Sequence, residues 1–153
     1  MAKPEIRTLL TPLTTGNILL PNSVVAEILE YTNPQPFKKA PAWLLGELAW
    51  HGWQVPVVSF LRVINKRSQD AVTKKSRILI IKTLGYSTQL NYIGLLIQGL
   101  PKIKTVSAET LSEDKQAVKS KSVFSRVQVG DEPALIPEIA ALTSLVEKSA
   151  YGK

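Results

Sequence analysis

Apolar residues along the chain fall into short runs that are separated by turn-forming residues. Some runs alternate apolar and polar side chains and others are continuously apolar, and both patterns are typical of β-strands. The Gly, Pro and Asn residues between the runs favour an all-β fold built from hairpins. The predicted strands span positions 6–13, 18–20, 77–84, 90–98, 101–106, 123–129 and 134–137.

Helical patterns are rare. Positions 24–31 fit either a helical stripe or a strand that begins with β-branched residues, so the pattern leaves both open. Positions 138–148 predict a helix that follows Pro137, a residue suited to a first helical turn. Its apolar face consists of Ile139, Leu142, Leu145 and Val146.

The remaining boundaries follow from polar segments. Positions 107–116 are polar and predict a turn of helix that Ser107 would cap. Nothing divides the chain into separate halves, because it contains no repeat and no low-complexity linker. We therefore predict a single domain over residues 6–148, either undivided or made of two small barrels that share one core, and a tail over residues 149–153.

The most informative segment is positions 43–60. Two strand-like runs there flank a short turn that contains Gly52, which is a β-hairpin pattern. The segment also carries the three tryptophans of the chain, Trp43, Trp50 and Trp53. Because tryptophan is common both in packed cores and at binding hot spots, the pattern leaves core and interface equally open for them.

Composition excludes most catalytic chemistry. The chain has 153 residues, 44% of them apolar, with no cysteine and one histidine, His51. Thiolate metal sites, disulfides and cysteine nucleophiles are therefore excluded, and one histidine leaves little for other metal sites or for a Ser-His-Asp triad. No glycine-rich phosphate loop and no Gly-x-Ser-x-Gly motif occurs. We predict that the protein is not an enzyme and holds no metal or cofactor.

The lengths of the apolar runs show whether any of them could span a membrane. They are far shorter than the roughly 20 residues that span a bilayer. The N-terminal segment lacks the cleavage pattern of a signal peptide. We therefore expect a cytoplasmic protein without membrane insertion.

The charge is distributed unevenly. Positions 48–108 hold nine basic residues and one acid, Asp70, whereas the whole chain has a net charge of +7. A basic segment can bind nucleic acid, although no aromatic residue lies among the bases of positions 62–77 to stack on nucleobases. A soluble surface rich in lysine and arginine is the alternative. Nucleic-acid binding is therefore the less favoured hypothesis.

Glu27 is unusual because it lies inside an apolar run. Val24-Val25 precede it and Ile28-Leu29 follow it. A carboxylate in such a run either faces solvent from an edge strand or makes a specific contact. The residues alone favour the solvent-facing position.

These segments together resemble the CheW family of chemotaxis coupling proteins. The resemblance rests on Val25-Ala26-Glu27-Ile28, a proline-rich loop that ends at Trp43, and the hairpin at positions 45–60. The family pattern there is an apolar-x-Glu-Ile strand, a Gly-Val-x-Asn-Leu-Arg-Gly turn and an apolar-Pro-Val-apolar-Asp-Leu strand. Later segments agree more loosely, and the resemblance extends over about residues 6–146.

The resemblance implies a scaffold of two intertwined five-stranded SH3-like barrels around a shared core, with a C-terminal helix. It further implies a non-enzymatic adaptor between methyl-accepting chemoreceptors and a CheA-type histidine kinase. The family's receptor- and kinase-contacting positions correspond to Val25, Glu27, Gly46, His51 and Gly52, which shifts the interpretation of Glu27 towards a functional contact. A small β-barrel that binds nucleic acid remains the alternative function.

Three residues depart from the family pattern. His51 stands in place of the turn arginine, Ala49 in place of the asparagine, and Ser59 in place of the aspartate. Histidine lacks the permanent charge and the rigid donor fork of arginine, so the contact at this position is expected to differ. The departures resemble those of divergent members that serve type IV pilus, or twitching motility, chemosensory systems.

Overall fold

The computed structural model describes residues 4–107, 109–113 and 120–152. Strands account for most of its regular structure, and two helices complete it. A single 3-10 turn, Asn22–Val24, follows the second strand. The elements are β1 (Ile6–Pro12), β2 (Asn17–Pro21), β3 (Val25–Glu30), β4 (Leu44–Trp50), β5 (Trp53–Val58), α1 (Phe60–Ile64), β6 (Arg77–Lys82), β7 (Tyr92–Ile97), β8 (Lys102–Val106), β9 (Leu111–Glu113), β10 (Val123–Val129), β11 (Glu132–Pro137) and α2 (Ile139–Tyr151).

The strands form two sheets that divide the chain unequally. The first sheet has the order β8-β1-β2-β11-β10-β9 and draws its strands from both ends of the chain. The second sheet has the order β3-β6-β7-β5-β4 and is built from the middle of the chain. The middle segment is thus inserted between β2 and β8, which explains why two barrels formed by one chain are intertwined.

Each sheet encloses its own apolar interior, and a third core joins the two sheets. Along β6, Ile78 and Ile80 face the interior of the second sheet, whereas Leu79 and Ile81 face the shared core. Burial on both faces explains why this strand is continuously apolar and does not alternate. The shared core also contains Ile18, Leu20, Phe60, Leu95, Leu142 and Val146, and the first sheet's interior contains Leu10, Leu19, Val106, Val127 and Val129. The predicted mainly β architecture, with two barrel-like sheets and a C-terminal helix, is confirmed.

Several local predictions need correction. Of positions 24–31, left open between helix and strand, residues 25–30 form β3, with a bulge between Val25 and Glu27, and Val24 ends the 3-10 turn. Ser107 is the cap predicted at positions 107–116, since its Oγ accepts the N–H of Glu109 over 3.3 Å, but the residues described after it within those positions contain no helix. Residues 109–110 form a turn that is closed on Ser107, and β9 follows and pairs with β10. The first sheet therefore has six strands, one more than predicted, and positions 114–116 lie outside the described residues.

The second helix is longer than predicted. It continues to Tyr151, so residues 149–151 of the predicted tail are helical. The ring of Tyr151 packs edge-on against Phe37 with centroids 6.4 Å apart. Gly152, in the left-handed conformation at φ 60°, ends the helix and donates its N–H to the carbonyl of Lys148. Within the described ranges, no helix has the length and apolar character needed to cross a membrane.

Candidate interaction surface

The predicted hairpin at positions 43–60 is present as β4 and β5. Trp50 and Trp53 pair across the ladder and leave a two-residue turn of His51 and Gly52. Both turn residues have positive φ, 47° and 81°, which is the conformation of a type I′ turn. Glycine adopts this conformation without a steric penalty, whereas His51 is held there by the hairpin. The side chain of His51 is consequently displayed at the tip, with 68% of its surface exposed.

Glu27 meets this hairpin although β3 and β4 are the two outermost strands of their sheet. The Trp50 indole Nε1 donates to Glu27 Oε1 over 3.2 Å, and His51 Nε2 lies 3.3 Å from the same oxygen. The contact requires the sheet to curl until its edges meet, which closes the barrel at this end. Glu27 remains 44% exposed at its side chain. The solvent-facing and specific-contact interpretations of Glu27 are therefore both partly right.

An aromatic cluster lies beside the Glu27 contact. The ring of Tyr92, the first residue of β7, is 4.8 Å from Trp50 and 5.6 Å from Trp53, with interplanar angles of 70° and 63°. Trp50 also meets the His51 ring edge-on at 4.7 Å. Trp50 and Tyr92 pack on the apolar interior of the second sheet, whereas Trp53 is 44% exposed. The cluster therefore joins the barrel core to the surface.

The three tryptophans divide between the two interpretations that the sequence left open. Trp43 is only 7% exposed and belongs to the shared core, so it is not available as an interface residue. Trp53 is exposed, and Trp50 lies between the two extremes. Tyr92 was not singled out by the sequence, because its place beside Trp53 depends on the parallel pairing of β5 with β7.

Gly46 and Val25 have internal roles in this structure. Gly46 is buried at φ 144°, and a Cβ atom there would lie 2.4 Å from the carbonyl oxygen of Gln35. Gln35 and Glu47 exchange two backbone hydrogen bonds of 2.9 Å, so the proline-rich loop lies directly against β4. Val25 is half-buried and packs against the shared core. Trp50, in contrast, contacts both Glu27 and His51 directly.

Asp70, the one acid of the basic segment, is buried. It is 5% exposed and accepts hydrogen bonds from the Ser59 hydroxyl, from Thr14 Oγ1 over 2.7 Å and from Gln98 Nε2 over 3.3 Å. Thr14 belongs to the turn between β1 and β2, and Gln98 follows β7, so this carboxylate joins elements of both sheets. No local pattern indicates this contact, because Asp70 lies in a polar loop.

Two tyrosines show altered acidity. Burial raises the pKa of Tyr31. Burial also raises the pKa of Tyr151, and the charge of the neighbouring Glu47 carboxylate and a hydrogen bond to it raise the pKa further. Neither tyrosine lies in the cluster of Glu27, Trp50 and His51.

Among residues 4–107, 109–113 and 120–152, no group of three or more His, Asp or Glu side chains is arranged to hold a metal ion. The basic residues of positions 48–108 lie on several elements, including α1, the 65–76 loop, β6 and β8. The exposed surface formed by Glu27, Trp50, His51, Trp53 and Tyr92, here called the Glu27 surface, is the candidate interaction site.

Comparisons with known proteins agree with this architecture. No curated protein sequence matches the chain. The crystal structure of the scaffolding protein TtCheW from Thermoanaerobacter tengcongensis superimposes with a TM-score of 0.73 and 16% sequence identity, over 88% of this chain and 90% of that chain. This likeness concerns the fold. Residues 7–147 match the CheW-like domain. The chain therefore belongs to the CheW-like domain family.

Proposed function

We propose that this protein is a non-enzymatic signalling adaptor that couples methyl-accepting chemoreceptors to a CheA-type histidine kinase. The observation that carries the proposal is the Glu27 surface, where an exposed tryptophan, a carboxylate and a histidine lie together at one end of a barrel. Exposed aromatic side chains supported by a rigid core are typical of binding hot spots. Membership of the CheW-like family and the likeness to a scaffolding protein support the same function.

The proposal includes the setting of the protein. Its place would be cytoplasmic, at membrane-associated receptor arrays, with residues 6–148 acting as one domain. A type IV pilus system is the proposed host branch, because His51, Ala49 and Ser59 depart from the family pattern. Val25 and Gly46 would then support the surface from within, Gly52 would form its exposed turn, and Glu27, His51 and Trp53 would contact the partner.

A calorimetric titration against the regulatory domain of the host's CheA-like kinase tests the proposal. We expect micromolar binding of the parent and at least tenfold weaker binding of Glu27→Lys, because the substitution reverses a charge at the centre of the surface. Asp131→Lys is the matched control, since it makes the same charge change at an exposed hairpin tip of the other sheet. Equal binding of all three proteins would show that the Glu27 surface is not the contact.

Nucleic-acid binding remains the second candidate, because positions 48–108 combine nine basic residues with one acid that is buried. A gel shift with single-stranded DNA and RNA at increasing salt tests it. Sub-micromolar affinity that falls steeply with salt would support nucleic-acid binding, since release of counterions drives such complexes. Absence of a shift at low salt would exclude this function.

A further inference from the structure

The Glu27 carboxylate is only partly engaged within the chain. Its Oε1 takes the contacts with Trp50 and His51, and in the described part of the chain no hydrogen bond occupies Oε2. The His51 contact is long, at 3.3 Å, and comes from a ring that is largely exposed. An incoming donor can therefore reach the carboxylate, either at Oε2 or in place of His51.

The neighbouring aromatic rings suit a cation. Trp53 is half-exposed and meets Tyr92 edge-to-face, so no parallel stack between these two rings covers the indole. The faces of tryptophan and tyrosine rings attract cations through their quadrupole, and a nearby carboxylate adds charge attraction. A carboxylate beside exposed aromatic rings is thus a site for a positively charged side chain.

Among residues 4–107, 109–113 and 120–152, no lysine or arginine pairs with the Glu27 carboxylate. Lys82 lies opposite Tyr92 in the ladder of β6 and β7, but its Nζ donates to the backbone carbonyl of Ser23 over 3.1 Å. In the described part of the chain, His51 is the one basic side chain that forms an ion-pair contact with Glu27. The protein as a whole has a net charge of +7 and therefore attracts acidic groups. The Glu27 carboxylate, in contrast, attracts basic groups.

We propose that the Glu27 surface binds an arginine side chain of the partner, with the guanidinium paired to the Glu27 carboxylate and stacked on Trp53. Arginine fits better than lysine because its planar fork can bond a carboxylate with two donors and stack on an aromatic face at the same time. The inference rests on the proposed adaptor function for the identity of the partner, whereas the arginine chemistry rests on Glu27, Trp53 and Tyr92.

Nuclear magnetic resonance of the full ¹⁵N-labelled chain tests the site with N-acetyl-arginine methylamide as the probe. The three indole N–H signals report separately, because Trp43 is buried in the shared core and serves as an internal control. We expect the Trp53 signal to shift saturably, with a dissociation constant on the order of millimolar for a single side chain, and the Trp43 signal to stay in place. N-acetyl-citrulline methylamide, which has the same shape without the charge, should bind at least about fivefold more weakly.

Two variants complete the test. Glu27→Gln removes the charge and should weaken arginine binding about threefold or more, whereas Glu30→Gln, an exposed carboxylate on the same strand, should leave it unchanged. Trp53 is the reporter in both variants, since Trp50 donates directly to the side chain that Glu27→Gln changes. Equal shifts with arginine and citrulline, or unchanged affinity in Glu27→Gln, would overturn the proposal.

Binding of the kinase domain and binding of the arginine probe distinguish a failure of the arginine site from a failure of the adaptor function. Binding of the kinase domain that is unaffected by Glu27→Gln would refute the arginine site and leave the adaptor function standing. Specific binding of the arginine probe without binding of any kinase or receptor fragment would support the arginine site and refute the adaptor function.

Discussion

The buried carboxylate of Asp70 is expected to stabilise the junction between the two sheets. It accepts hydrogen bonds from Ser59, Thr14 and Gln98, which belong to the cap of α1, the β1–β2 turn and the end of β7. Ser59 also caps α1, because its Oγ accepts the N–H of Arg62 over 3.3 Å. Replacement of Asp70 by alanine would remove the acceptor common to these elements.

The cost of Asp70→Ala can be worked out from its partners. Hydrogen bonds to charged groups contribute roughly 1.5–3 kcal/mol each to stability. A donor that loses its protein partner recovers much of that free energy if it can bond to water instead. Thr14 is exposed and Gln98 is half-exposed, so both can bond water, whereas the buried Ser59 hydroxyl cannot do so readily. The expected loss is therefore about 2–3 kcal/mol, close to the value of one fully lost charged hydrogen bond. For a chain of this length it corresponds to a decrease in Tm of roughly 5–10 °C.

Thermal and urea unfolding of Asp70→Ala and Asp70→Asn measure this effect. Asp131→Asn is the control, since it makes the same change at an exposed hairpin tip and should shift Tm by about 1 °C or less. Amide hydrogen exchange should also accelerate over residues 68–76 in both Asp70 variants, because Ala71 and Ser76 are held to the sheets through Gln98. An Asp70→Ala protein as stable as the Asp131→Asn control would show that Asp70 does not stabilise the junction between the sheets.

Three further predictions follow from burial and contacts. Gly46→Ala should lower the free energy of unfolding by about 2–4 kcal/mol, because its Cβ would overlap the carbonyl of Gln35, and normal stability in urea unfolding would contradict that contact. Trp43→Ala should cost about 3–5 kcal/mol and Trp53→Ala about 1 kcal/mol or less; a similar loss of stability in the two would contradict their different burial. The raised pKa of Tyr151 favours its neutral form in the folded state, so its contribution is present below about pH 10 and is lost as the pH rises through the folded pKa. Urea unfolding at pH 8 and pH 10.5 should therefore show a smaller loss of stability with pH in Tyr151→Phe than in the parent, and equal losses would contradict the shift.

Features governed by local sequence could be predicted well. The turn at Gly52 and the flanking strands were evident because a two-residue turn with positive φ requires particular residues. The helix after Pro137 was evident from its apolar face, although its end was not, because Tyr151 continues the helix by packing on Phe37. The helix α1 was missed because Phe60 extends an apolar run that reads as a strand, whereas Ser59 ends that strand and caps the helix.

Features governed by the curl and pairing of the sheets could not be predicted from the residues alone. Glu27 and Trp50 lie 23 positions apart, on strands at opposite edges of one sheet, and they meet because that sheet closes on itself. Tyr92 joins them through a parallel strand pairing whose register leaves no local signal. The burial of Asp70 could not be predicted for the same reason, because this loop carboxylate is buried only where both sheets pack against it. The resemblance to the CheW family supplied the position of Glu27, and the structure supplied its contacts.

Reconstitution of the coupled complex is the decisive test of the adaptor function. Membranes that contain the host chemoreceptor would be sedimented with the CheA-like kinase, in the presence and absence of this protein. If the protein is an adaptor, the kinase will sediment with the receptor only when the protein is present, and Glu27→Lys will reduce this recovery whereas Asp131→Lys will not. Recovery of the kinase to the same extent without the protein, or no recovery with it, would contradict the adaptor function.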